Sequence, residues 1–152
     1  MIPTVRREYD RLRAKGWTAE AAFRAATVTA RFAQLEEQGL VRFRVVEDPE
    51  PYDSSHVDTW TDMRPSDRKR WKEDIARDIR RYGVVGLVGE ILVDDCWVGQ
   101  DSVWGCIGND THDNGYDTDI KLACIEALAE RGAAALRDRP TYAAGDAAGG
   151  RP

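Results

Sequence analysis

Four residues whose side chains can bind soft metal ions fall within one stretch of 29 residues: Cys96, Cys106, His112 and Cys124. Zinc needs four such groups converging in a tetrahedron, and pairs spaced as CxxC or HxxxH usually bring them together. The spacings here are ten, six and twelve residues. Cys124 also falls on the apolar face of a predicted helix, where a free cysteine commonly acts as a small core residue. We therefore predict no metal ion.

The polar segment 109–119 superficially matches a calcium-binding loop. With Gly115 at the sixth position, Asp110 stands first, but Lys121 occupies the twelfth position, where such loops require a carboxylate. We interpret the segment as an acidic turn that leads into a helix, and a loose cation site stays an alternative.

Catalytic residues do not form a complete set. The sequence around Ser102 lacks the GxSxG turn of a nucleophilic serine, and the chain has only two histidines. No glycine-rich phosphate loop stands between a strand and a helix, and we predict no cofactor. A small enzyme with a site in residues 90–119 remains an alternative, which requires four side chains to converge: Glu90, Asp101, Cys106 and His112.

Charge is distributed unevenly along a chain whose net charge is −5. Residues 45–63 hold six acidic groups and no basic one, and residues 92–120 hold seven aspartates and no lysine or arginine. By contrast, residues 66–82 hold seven basic and four acidic groups. An acidic surface favours a basic partner, and a basic helix favours phosphate or an acidic partner.

Tryptophan is abundant, with five residues in a chain of 152. Trp71 shares a helical stripe with Ile75 and is predicted to be core, whereas three others lie in loop or strand segments near acidic residues. Tryptophan is enriched at interface hot spots. We predict a binding surface that comprises Trp60, Trp97, Asp101, Trp104, Asp110, Asp113 and Tyr116.

Hydrophobic periodicity predicts the elements that position these residues. Helices are expected over residues 4–15, 19–38, 67–82 and 118–136, with Thr18 and Ser66 as N-caps of the second and third. Strands are expected over 40–47 and 84–93, followed by one or two more within 97–107 that turn at Gly99. Residues 84–93 are apolar on both alternating faces, which predicts a central strand covered on each side.

The predicted fold class is α+β, with a small, mainly antiparallel sheet of three to four strands packed with three to four helices. We expect the last helix on one face of the sheet, and helices 19–38 and 67–82 on the other face or edge. Residues 1–137 form a single predicted domain, and 138–152 a disordered tail. Three cysteines and no long apolar run predict a cytosolic protein without a membrane segment.

The segment 82–128 combines a glycine-rich strand, the box Asp101-Ser102-Val103-Trp104-Gly105, an acidic loop, Tyr116 and a closing helix. This arrangement resembles small, mostly uncharacterised proteins encoded by bacteriophages and mobile elements, and residues 9–47 have a similar character. The resemblance implies a context in which small acidic proteins bind and modulate host factors, including defence systems.

The leading prediction is a non-enzymatic interaction protein of phage or mobile-element origin, which binds a host protein in the cytosol and alters its activity. An anti-defence inhibitor, of the anti-CRISPR or anti-restriction type, is its concrete version. A nucleic-acid-binding module that uses the basic helix 66–82 is the first alternative, and the small enzyme is the second. A homodimer also stays open.

Overall fold

The computed structural model describes residues 1–50, 52–108 and 115–137. Within these residues the chain forms four α-helices, a short 3-10 helix and a three-stranded antiparallel sheet, which confirms the predicted α+β class. The order is α1 Pro3–Ala14, α2 Ala19–Glu37, β1 Val41–Glu47, the 3-10 helix Ser55–Thr59, α3 Pro65–Tyr82, β2 Val84–Val93, β3 Cys96–Ile107 and α4 Tyr116–Arg137. The predicted tail, 138–152, lies outside the described residues, as do Asp110, His112 and Asp113.

The first residues of α2 and α3 test the two predicted N-caps, Thr18 and Ser66. The Thr18 side chain accepts a hydrogen bond of 3.2 Å from the Ala21 N–H, which confirms Thr18 as the N-cap of α2. The Ser66 prediction was wrong, since α3 begins one residue earlier at Pro65, with Arg64 as its N-cap. Proline suits the first helical position because its fixed φ is helical and the N–H it lacks would have no partner there.

The sheet has the order β1-β2-β3, and both strand pairs are antiparallel. Asp94 and Asp95 join β2 to β3, and both adopt positive φ (48° and 62°), as the tightest hairpin turns require. The predicted turn at Gly99 was wrong, because β3 runs through it without a break. Gly99 instead pairs with Glu90 beside a register shift, and this β-bulge accommodates Gln100 as an extra residue.

Helices α2 and α4 lie on the same face of the sheet. Phe32 and Leu35 of α2 share one buried cluster with Val41, Ile91 and Cys124, which come from β1, β2 and α4. The prediction that α2 lies on the other face or edge of the sheet was therefore wrong, since α2 packs on the same face as α4. Apolar and charged residues alternate along β1, which explains this result. The other face of β1 carries Arg42 and Arg44, and an apolar helix cannot bury its surface against these charged side chains.

Strand β2 is the central strand, as predicted. Its second face is covered less completely than the first, since Val88 and Leu92 are half-buried there whereas Leu87 and Ile91 on the first face are fully buried. Helix α3, which the structure describes in full, has no buried residue. Its apolar stripe packs beside the 3-10 helix, and Trp71 is half-buried there with its ring centroid 5.2 Å from that of Trp60. In the described part of the chain, no helix combines the length and apolarity needed to cross a membrane.

Helix α4 makes its closest approach to the sheet at Gly89. A Cβ atom on Gly89 would lie 2.5 Å from Ile120 Cγ2 and 2.8 Å from Cys124 Sγ, so the strand has no room for a side chain there. Burial, reinforced by the charges of Asp101 and Glu90, raises the pKa of the Cys124 thiol to about 11. The thiol is therefore protonated at neutral pH and acts as a core residue, as predicted.

We expect Gly89→Ala to lower the free energy of unfolding by about 1–3 kcal/mol, because the added methyl group overpacks the contact between α4 and β2. Gly99→Ala is the matched control, since a Cβ atom on Gly99 would meet no atom within 4 Å beyond its chain neighbours. We expect this change to alter stability by less than about 0.5 kcal/mol. Urea unfolding followed by circular dichroism measures both, and equal stability of the two variants would contradict this packing.

Candidate interaction surface

The face of the sheet that points away from α2 and α4 combines aromatic and charged side chains. The strand register places Arg42 opposite Glu90 and Ser102 opposite Val88 on this side. We call this surface the open face, and it comprises Arg42, Arg44, Val46, Gly86, Val88, Glu90, Leu92, Trp97, Ser102 and Trp104.

Trp104 rests directly on the backbone of the central strand. A Cβ atom on Gly86 would overlap three atoms of the six-membered ring of Trp104, so the ring occupies the space that a side chain would fill. The indole N–H donates a hydrogen bond of 3.2 Å to Ser102 Oγ, which fixes the ring's orientation. The residue nevertheless remains 51% exposed. The result is a positioned aromatic surface that faces solvent.

An ion cluster formed by Arg42, Arg44 and Glu90 lies in the middle of the open face, and the Trp97 ring stacks on Arg42. The Arg42 guanidinium donates to the Glu90 carboxylate and lies 4.4 Å from the centroid of the Trp97 ring. Arg44 Nε lies 3.1 Å from the same Glu90 oxygen. Hydrogen bonding from Arg42, together with the charges of both arginines, lowers the pKa of the Glu90 carboxyl group. Glu90 is therefore ionised at neutral pH, and two arginines surround one carboxylate.

One end of the open face borders a cleft of about 450 Å³ between the sheet and the carboxyl end of α3. Val46, which pairs with Gly86 beneath Trp104, belongs to both surfaces. We call this site the tyrosine cleft, because Tyr52 and Tyr82 line it together with Val45, Val46, Ile79, Gly83, Val84 and Val85. Glu47, Asp48 and Glu50 also line it.

The acidic residues of the tyrosine cleft differ in their partners. The Asp48 carboxylate accepts hydrogen bonds of 2.9 Å from the backbone N–H groups of Glu50 and Gly105. The side chains of Glu47 and Glu50 are exposed and have no partner among the described residues. Asp48 therefore has a structural role, whereas the two glutamates are available to a ligand.

Of the five predicted binding residues that the structure describes, two lie on the open face. Trp97 and Trp104 share the open face, roughly 20 Å apart along β3 as estimated from the rise per residue of a strand. Trp60 belongs to a separate cluster with His56 and Trp71.

The remaining predicted residues lie elsewhere. Asp101 pairs with Gly89 and lies on the face covered by α4, where it accepts a hydrogen bond from the Ser102 N–H. Tyr116 is the exposed first residue of α4. Asp110 and Asp113 lie outside the described residues.

Of the four residues that the enzyme hypothesis needs, the three that the structure describes do not converge. The strand register places Glu90 on the open face and Asp101 on the opposite face. Cys106 is buried in a cluster with Leu87 and Ile120, and His112 lies outside the described residues.

A shared zinc site for Cys96 and Cys106 is also excluded, because they stand at opposite ends of β3, roughly 30 Å apart. The described residues contain no group of three His, Cys, Asp or Glu side chains that could hold a metal ion.

Eight of the ten residues of the open face were absent from the predicted binding set, among them Arg42, Arg44 and Gly86. The sequence did indicate Arg42 and Arg44, since residues alternate between the two faces of a strand and these two point away from Val41 and Phe43. Glycine within a strand indicates close approach of other atoms, but the sequence does not specify that Trp104 makes this approach. No sequence pattern indicated the tyrosine cleft, because its residues come from four separate parts of the chain: β1, the segment after β1, α3 and β2.

Comparisons with protein-family models, with curated proteins and with solved structures found no match to this chain. The functional argument therefore rests on the residues described above.

We expect Glu90→Gln to lower the free energy of unfolding at pH 7 by about 1–3 kcal/mol, because it removes the charged partner of both arginines. A carboxyl group whose pKa is lowered by folding contributes stability above its unfolded pKa, near 4.3, and this contribution is lost as pH falls through the folded pKa. The difference between the variant and the wild type should therefore shrink progressively below about pH 4.3.

Urea unfolding at several pH values between 7 and 3 measures this difference. Glu126→Gln on the exposed side of α4 is the control, and we expect little change at any pH. A constant difference between wild type and Glu90→Gln over this range would show that the ion cluster is not its source.

Proposed function

We propose that the chain is a non-enzymatic interaction protein that binds a second protein through the open face, with Trp104 as the principal contact. The observation that supports this most is the placement of the Trp104 ring on Gly86, where it is held by Ser102 yet half-exposed. A side chain already fixed in position loses little rotamer freedom on binding, which favours affinity. Tryptophan in this state is typical of binding hot spots.

The ion cluster supports the same proposal. Arg42 and Arg44 are held by Glu90, and Arg42 is also held by the Trp97 ring, so a partner meets an ordered surface. Arginine and tryptophan are the side chains most enriched among residues that dominate interface energies. The open face presents both arginine and tryptophan, and the central strand β2 lies beneath these side chains.

The resemblance to phage and mobile-element proteins supports a host protein as the partner. We propose that binding takes place in the host cytosol and alters the activity of that protein. An inhibitor of a defence system is the concrete version of this proposal.

Replacement of Trp104 with alanine should abolish capture of the partner. We expect affinity to fall roughly 30-fold or more, as for other tryptophan hot spots. Phe23→Ala is the matched control, since Phe23 is also 51% exposed but lies on α2, on the other side of the sheet. The measurement is affinity purification with the tagged full chain from nuclease-treated host lysate, followed by titration of the purified partner against each variant.

A thermal melt of each variant shows whether the fold is retained. The proposal is contradicted if Trp104→Ala and Phe23→Ala bind the same protein equally well. Capture that disappears on nuclease treatment would also contradict it.

Nucleic-acid binding by α3 is the second candidate, and one observation favours it. Lys69, Arg70 and Arg80 form no ion pair with any described residue, whereas Lys72 is paired with Asp58. If α3 binds phosphate groups, affinity for a labelled oligonucleotide falls linearly with the logarithm of salt concentration. The double variant Arg70→Glu/Arg80→Glu would then lose binding in fluorescence anisotropy, and Trp104→Ala would retain it. The opposite pattern would favour the open face.

A further inference from the structure

The tyrosine cleft combines an apolar floor with aromatic walls and a charged rim. Val45, Val46, Ile79, Val84 and Val85 supply its apolar lining, and Tyr52 and Tyr82 its aromatic lining. Tyr82 is 40% exposed, so part of its surface remains accessible to a ligand. Glu47 and Glu50 are exposed at the rim and unpaired among the described residues.

We propose that the tyrosine cleft receives an arginine side chain from an extended segment of the partner protein. This inference rests on the proposed function and specifies the partner's chemistry. The aliphatic stem of arginine can lie against Val46, Ile79 and Val84 while its head group remains in water. The planar guanidinium group can stack on a tyrosine ring and donate paired hydrogen bonds to a carboxylate at the same time.

A contact within the chain shows that one wall of the cleft accepts this group. The Arg81 guanidinium carbon lies 5.2 Å from the centroid of the Tyr82 ring. Arg81 itself does not line the cleft. The ring therefore already interacts with a guanidinium group while the cleft beside it stays open.

The charge around the cleft favours a cation over an anion. Residues 45–63 hold six acidic groups and no basic one, and three of the six, Glu47, Asp48 and Glu50, line the cleft. Arg80 and Arg81 adjoin the cleft between Ile79 and Tyr82 but do not line it, so the charged residues that line the cleft are all acidic. This lining favours a cationic group over a phosphate group.

The cleft is also continuous with the open face. Val46 lines the cleft and pairs with Gly86, on which the Trp104 ring rests. A segment that crosses Trp104 can thus place its next side chains in the cleft without leaving the surface. The partner is expected to present an apolar or aromatic residue to Trp104 and an arginine close to it in sequence.

The test is an NMR titration of the ¹⁵N-labelled full chain with two capped pentapeptides, Ala-Ala-Arg-Ala-Ala and the same peptide with citrulline in place of arginine. Citrulline keeps the shape of arginine and removes its charge. We expect shifts of the Val46, Glu47 and Val84 amides. Roughly five- to tenfold tighter binding of the arginine peptide is expected, from one cation–π contact and one exposed ion pair.

The double variant Glu47→Gln/Glu50→Gln should lose this preference. Glu36→Gln/Glu37→Gln on α2 changes the net charge equally at a distance from the cleft, and it should retain the preference. Equal binding of the two peptides, shifts confined to other residues, or no shift at roughly 10 mM peptide would overturn the assignment.

The two proposals can fail separately. If Trp104→Ala loses the partner while both peptides bind alike, the open face remains the interface and the cleft assignment is overturned. If the arginine preference is present but Trp104→Ala still binds the partner, the cleft assignment stands and the role of Trp104 is refuted.

Discussion

The packing of α4 against the central strand at Gly89 is the contact on which the rest of the structure depends. Since the strand has no side chain at this position, Ile120 and Cys124 can reach the backbone of β2. Leu87 and Ile91, on either side of Gly89, are fully buried. Helix α2 joins the same core through Phe32 and Leu35. Two buried clusters thus lie on this side of the three-stranded sheet.

This arrangement determines which residues can occupy the opposite face of the sheet. Because α2 and α4 both lie on one face, the other face is free to carry Arg42, Arg44 and Glu90, which form ion pairs with one another. A second glycine, Gly86, makes room for the Trp104 ring on this side. Two glycines three residues apart on β2 therefore serve opposite faces, since alternate strand positions point in opposite directions. One supports the core, and the other positions an exposed aromatic ring.

Much of the fold could be predicted from local signals. The N-cap at Thr18 and the alternation of Val41, Arg42, Phe43 and Arg44 are local features that sequence patterns reveal. The face of the sheet on which α2 packs could not be predicted, because it depends on contacts with residues that are distant in the sequence. The bulge at Gln100 was missed for a similar reason, since a glycine in a strand and a glycine in a turn look alike in sequence.

The candidate surface was predictable only in part. Trp97 and Trp104 were expected at a binding surface, and the structure places both on the open face. Trp60 and Asp101 were assigned to the same predicted surface because they lie near acidic residues in sequence, but the fold separates them from it. The tyrosine cleft draws on four separate parts of the chain, so only the three-dimensional structure reveals it.

The most direct measurement is ¹⁹F NMR of the full chain labelled with 5-fluorotryptophan, recorded before and after addition of the purified partner. Each of the five tryptophans gives its own signal, and single substitutions assign them. If the open face is the interface, the Trp104 signal shifts strongly on binding, whereas that of Trp71, in the separate cluster with Trp60, stays unchanged. A Trp104 signal that does not move when the partner binds would contradict the role of the open face.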